Sequence, residues 1–189
     1  MYAAEIDKAH VRKFCAEKVK VGEPFTVRST PIPGEAQDDC FGVVERQVAR
    51  EGGERVIGWS IWEWPGILIE AEYHAIWRSP SGELIDLSPR PIPCEAITFI
   101  EDAGRPYDGL AVDNIRKPLV FDHDVLALIE FMKERFAVMN SPRRAREYGA
   151  VRWTRAEVSA LERIERGIEE ASVAIGARYG MTPLPGAAA

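Results

Sequence analysis

No run of apolar residues in this chain of 189 residues reaches the roughly 20 needed to cross a bilayer as a helix, so an integral membrane protein and a membrane partner are not expected. Also missing is any Cys-x-x-Cys pair. The three cysteines, Cys15, Cys40 and Cys94, are an odd number that fits a disulfide framework poorly, and free thiols in a reducing compartment are the better reading. Positive charge is in short supply, with 24 Lys and Arg against 30 Asp and Glu and a formal net charge of −6. That balance argues against broad attraction to nucleic acid. The opening Met-Tyr-Ala-Ala-Glu-Ile-Asp-Lys has acids where a secretory signal has a basic end and an apolar stretch, so a cytoplasmic location is the expectation. No internal repeat is present. Low complexity is confined to Thr182 to Ala189, and the tail 181–189 is expected to be disordered.

What remains is enough for one core. A single α+β domain over 1–180 is expected, with a central part at about 34–100 and a helical part at 122–180. Its centre is Gly58 to Pro89, which holds Trp59, Trp62, Trp64 and Trp77 of the five tryptophans and one of the three histidines. Aromatic and β-branched residues bounded by Trp64-Pro65-Gly66 and Ser79-Pro80-Ser81-Gly82 read as strands at Arg55 to Glu63, Ile67 to Arg78 and Glu83 to Leu87, joined by hairpins.

Upstream, apolar spacing predicts a helix from near Ala4 to Val19 with His10 and Cys15 inward, then a short strand at Phe25 to Arg28. Asp38-Asp39 before Cys40 and Gly52-Gly53 at the far end predict a helix over Cys40 to Glu51. Downstream, Ala96 to Ile100 reads as a strand and Glu101 to Lys117 as a long loop bordering a site. Asp122-His123-Asp124 reads as the cap of a helix to about Asn140. A capping box, Thr154 with Glu157, opens a last helix to Tyr179. These two helices are expected to pack on the sheet or on a second copy, giving a homodimer. Arg143, Arg144, Arg146, Arg152 and Arg155 form a basic cluster best read as a solvated surface paired with glutamates.

Cys40 stands in the first turn of its helix, where free backbone N–H groups and the helix dipole favour a thiolate. Asp38 and Asp39 oppose this. In the second strand Glu70, Glu72, His74 and Ile76 share one face. If Ser79 closes the hairpin against Glu83, paired positions sum to an even number, and His74 and Asp86 fall on that same face as diagonal neighbours. A thiolate, a base and a group that orients the base are what attack on an amide or ester needs. The N–H of Cys40 would be one oxyanion donor and Gln37, just upstream, a candidate second.

Cys40 opening a helix, His74 in His-Ala-Ile-Trp and Asp86 in Leu-Ile-Asp-Leu-Ser-Pro resemble the core of transglutaminase-like and papain-like cysteine enzymes. The block Asp39 to Pro89 is also similar to a group of uncharacterised bacterial proteins carrying Gly-Trp-x-Ile-Trp-Glu and Glu-Ala-Glu-x-His-Ala-x-Trp. The first resemblance implies a papain-like α+β arrangement, with the nucleophile helix packed on an antiparallel sheet. It also implies a hydrolase or acyltransferase with no cofactor, acting on an amide or ester substrate such as a peptide or protein. Trp59, Trp62, Trp64 and Glu72 are then candidate substrate-binding residues. Two alternatives stay open: a metal site built from Cys40, His74, Asp86 or Glu72, and a binding module whose tryptophans line a recognition groove.

Overall fold

The computed structural model describes residues 1–145 and 152–184. Arg146 and the tail from 185 onwards lie outside the described residues. The chain divides into two compact units, Met1–Tyr107 with Asn114–Lys117, and Asp108–Asp113 with Pro118–Ala189.

The first unit holds all of the sheet. In chain order it contains β1 (Tyr2–Ala3), α1 (Ala9–Phe14), β2 (Phe25–Ser29), α2 (Cys40–Glu51), β3 (Glu54–Trp64), β4 (Leu68–Arg78), β5 (Leu84–Asp86), β6 (Ala96–Glu101) and β7 (Ile115–Pro118). A single π-helical turn, Cys15–Val19, continues α1. The first helix begins later than its apolar spacing suggests, because Tyr2 and Ala3 are used as a strand against Glu63 and Trp62. Cys15 is buried as expected. His10 is not: it lies exposed, with Nε2 2.7 Å from Glu63.

β3 and β4 form a hairpin paired from Glu54↔Arg78 to Trp64↔Leu68. Its turn uses Pro65 and Gly66 as a type II reversal does, with Gly66 at φ 74° and Ile67 N–H donating to Trp64 O at 2.9 Å. The next hairpin has the even register. Ser79 N–H donates to Glu83 O at 2.9 Å, Gly82 adopts φ 87°, and Trp77↔Ile85 and Arg78↔Leu84 are partners.

The strands do not form the wholly antiparallel sheet expected. They run in the order β1-β3-β6-β2-β5-β4-β7 with β3 also paired to β4, so β2 to β6 close into a five-stranded barrel that β1 and β7 extend. Closure leaves no free edge among those five strands. It depends on β2, which lies antiparallel to β6 and parallel to β5. Local alternation cannot reveal such a pairing, since β2 and β5 are far apart in sequence.

Register and alternation assign the barrel interior. Val27, Val56, Trp62, Ile76, Ile97 and Phe99 make its apolar part. The outer face of β4 and β5 carries Ala75, Trp77, Ile85 and Leu87, against which Cys40, Val43 and Val44 of α2 pack. The strand Ile115–Pro118 was not expected in a segment rich in Gly, Pro, Asp and Asn; it forms on the outer edge of β4.

The second unit contains α3 (His123–Met139) and α4 (Arg155–Tyr179). Asp122 caps α3 by accepting from Asp124 N–H and Val125 N–H, and the Thr154–Glu157 capping box is complete. Ion pairs Arg135–Glu165 and Arg163–Glu134, with Phe131 against Gly167, run the two helices antiparallel. In the basic cluster, Arg144 pairs with Glu157 at 2.6 Å.

Gly58 lies opposite His74. A Cβ there would come within 2.0 Å of the Ile100 carbonyl oxygen and 2.6 Å of Phe99 Cζ, so the β3–β6 approach requires glycine. Gly58→Ala is expected to cost about 1–3 kcal/mol through overpacking, read as a lowered urea midpoint. Gly104→Ala, whose Cβ would meet nothing closer than 3.6 Å, should leave the midpoint almost unchanged. Equal midpoints for the two variants would contradict the packing described.

Candidate functional site

The first turn of α2 brings Cys40 to the barrel. Asp39 is its N-cap and accepts from Gly42 N–H at 3.2 Å. A side chain at Gly42 would collide with that carboxylate, its Cβ only 2.4 Å from Oδ2. Asp39 also pairs with Arg46 at 3.0 Å, which offsets its charge beside the cysteine. Phe41 stacks on Tyr107 at 3.8 Å between centroids, tying the loop after β6 to the helix start.

His74 and Asp86 point into the barrel, 1% and 0% exposed. His74 Nε2 lies 2.9 Å from Asp86 Oδ1 and donates to it. The other acceptors of Asp86 are filled from its flanks: Ser29 Oγ donates to Oδ2 at 3.3 Å and Ser88 N–H to Oδ1 at 3.2 Å. Asp86 faces Ile76 by extension of the register, so His74 is its diagonal neighbour, as the even-numbered hairpin requires.

Cys40 belongs by packing to the outer face of β4, whereas His74 belongs to the inner one. They meet where the ladder opens. β4 and β5 pair only at Trp77↔Ile85 and Arg78↔Leu84; beyond them the chain follows β2, with Thr30 N–H on Asp86 O at 2.8 Å and Ile32 N–H on Leu87 O at 3.0 Å. Cys40 lies close enough there to influence the His74 ring electrostatically.

Arg90 completes the cluster. Its Nη1 donates to Glu72 Oε2 at 2.9 Å, and its guanidinium lies over the Trp62 ring at 4.3 Å. Nη2 is 3.5 Å from His74 Nδ1 and 3.3 Å from Nε2. An atom nearly equidistant from both ring nitrogens cannot lie along either N–H direction, so Arg90 stacks on the face of the imidazole rather than bonding to its edge. Glu72 Oε2 also accepts from Trp62 Nε1 at 2.8 Å and Ser60 Oγ at 3.1 Å.

These neighbours set the charges. Burial works against a charged His74 ring, but the neighbouring Cys40 and the hydrogen bond to Asp86 outweigh it and push the pKa up to about 10. Burial likewise opposes the Asp86 and Glu72 carboxylates. His74 holds Asp86 below its ordinary value, and Arg90 with His74 does the same for Glu72.

Of the residues singled out from sequence, Cys40, His74, Asp86 and Glu72 come together. Gln37 does not: it is exposed in the loop before α2. Trp59, Trp62 and Trp64 are buried rather than lining an open groove. Trp59 Nε1 donates to Asp102 at 3.0 Å, and Trp62 walls the Arg90 side of the site. Among the described residues no three His, Cys, Asp or Glu side chains are grouped to hold a metal ion. Ser29, Ser88 and Arg90 were missed. A usable signal existed for the last two: Pro89 and Pro91 keep the chain extended, so 88 and 90 continue the inward parity of 84 and 86.

The raised pKa of His74 carries a sign. Folded protein keeps a ring proton that the unfolded chain releases near 6.5, so this contribution is complete below pH 6.5 and is lost as pH rises toward about 10. Urea unfolding is expected to show stability falling from pH 6.5 to 9, by roughly 1 kcal/mol per pH unit at most, with His74→Gln flattening that slope. Above pH 9 the buried Cys15 thiol, pushed up to about 11, adds a fall of its own. A wild-type slope no steeper than that of His74→Gln would show that the folded site holds no extra proton. Comparison with protein families, with curated proteins and with solved structures finds no match to this chain.

Proposed function

We propose that the chain is a thiol-dependent hydrolase or acyltransferase that acts on an amide or ester bond through Cys40, His74 and Asp86. The observation that carries this reading is the single buried histidine, hydrogen-bonded to a carboxylate and within electrostatic range of a helix-initial cysteine. From the resemblance to papain-like and transglutaminase-like enzymes the proposal takes the division of labour among the three residues, not the layout of the sheet.

Because Nε2 is committed to Asp86, Nδ1 is the nitrogen left for sulfur. The serine protease triad has the opposite assignment, with the carboxylate on Nδ1. Nδ1 lies nearer the backbone, so its partner must come close to β4, and Ala75 beside Cys40 offers little bulk against that approach.

In the reaction, the Cys40 sulfur attacks the carbonyl carbon, forming a C–S bond as the C=O electron pair moves to oxygen. When the pair returns, the C–N or C–O bond breaks and His74 gives its proton to the leaving group. Water or an amine then attacks the thioester carbonyl while neutral His74 takes its proton, and return of the electron pair breaks the C–S bond and releases the Cys40 sulfur. Asp86 keeps the ring oriented and compensates its charge.

Alkylation by iodoacetamide at pH 7 tests the nucleophile. Burial pushes the Cys15 thiol up to about 11 and raises that of Cys94 as well, so Cys40 should label first. His74→Ala should slow Cys40 labelling on the order of tenfold, since an unassisted thiol is only a few per cent ionised at that pH. Equal rates at the three cysteines, or no effect of His74→Ala, would overturn the proposal.

A further inference from the structure

Two buried donors of this cluster lack a hydrogen-bond partner among the described residues: Ser88 Oγ and Arg90 Nε. A buried donor left unmatched costs about 1–3 kcal/mol, so a pair of them at one place needs an explanation. Ser88 is fully buried. Its N–H shares Asp86 Oδ1 with His74 Nε2. Of the other Arg90 nitrogens, Nη1 donates to Glu72 and Nη2 lies against the face of the His74 ring. Both unmatched donors therefore lie around the imidazole that Cys40 influences.

We infer that Ser88 Oγ–H and Arg90 Nε–H form the oxyanion-binding site of the Cys40 reaction, in the role that Gln37 was expected to fill. This rests on the proposed nucleophile and adds the groups that receive the displaced charge. Cys40, at 9% exposed, lies nearer to solvent than His74, Asp86 and Ser88, at 1%, 0% and 0%.

The electrostatics favour a transient anion over a permanent one. Arg90 is already balanced by Glu72, and His74 by Asp86. An anionic ligand would add net charge to a closed site. An oxyanion would not, because attack moves one negative charge from sulfur to oxygen within the same cluster. Donors that wait unpaired need no reorganisation when that charge arrives.

Two reagents that consume the same sulfur separate the roles. Iodoacetamide reacts by displacement: a C–S bond forms, iodide leaves with the electron pair, and no oxyanion arises. With 4-nitrophenyl acetate the C–S bond forms as the carbonyl pair moves to oxygen, and its return expels 4-nitrophenolate. Ser88→Ala should slow the acylation burst on the order of 100-fold, the usual cost of one oxyanion donor, while alkylation of Cys40 stays within about twofold. Arg90→Lys, which keeps a cation opposite Glu72 but removes Nε–H, should show the same split, with far-UV circular dichroism reporting that both variants fold.

Parallel loss in both reactions would make Ser88 and Arg90 supports of the thiol and overturn the inference. No loss in either would make their donors a resting place for water only and would overturn it equally. Failure of unmodified Cys40 to alkylate faster than Cys15 and Cys94 would remove the nucleophile itself, and the oxyanion site with it. Normal alkylation with an undiminished acylation burst in Ser88→Ala would remove only the oxyanion site.

Discussion

A charged imidazole and a carboxylate held together inside a closed barrel constrain the rest of the first unit. Two such groups leave water at a cost of several kcal/mol each unless they are paired and their remaining hydrogen-bonding capacity is met. Here Nε2 of His74 meets Asp86, Ser29 and the Ser88 backbone fill the carboxylate, and Glu72 balances the arginine stacked on the ring. The barrel's apolar half, with Val27, Ile76, Ile97 and Phe99 fully buried, supplies the cohesion that lets the other half stay polar.

The arrangement also accounts for the short β4–β5 ladder. Two paired positions suffice to hold Asp86 beside β4. A longer ladder would continue past His74 and close the opening through which α2 reaches the ring. The prolines after Asp86, at 89 and 91, have no N–H to lend to such a ladder. The same chain chemistry thus keeps the strand extended and leaves its edge unpaired. Parity then delivers Ser88 and Arg90 inward.

Three of the four tryptophans of the central hairpin make hydrogen bonds that tie elements together. Trp62 links its indole N–H to Ser60 and Glu72 and offers its face to Arg90; Trp77 donates to Gly52 O at 2.9 Å, where α2 ends and β3 begins. Trp59 bonds Asp102 and packs on Tyr73. Buried indoles with matched N–H groups are part of the framework, a role that composition alone does not separate from a recognition surface.

Local chemistry determined a good part of this protein. The aspartates and Gly52 bounded α2, Pro65-Gly66 and Gly82 set two turns, the Thr154–Glu157 box began α4, and the even hairpin register put His74 and Asp86 on one face. Each of those signals acts within a few residues or across a single turn, so it is legible in sequence. Barrel closure was decided by the tertiary structure, because the parallel contact of β2 with β5 joins segments more than 50 residues apart and has no local mark. So was the joining of sulfur on one face of β4 to a ring on the other. Alternation says which way a side chain points, and only the three-dimensional path of the chain says where a ladder ends.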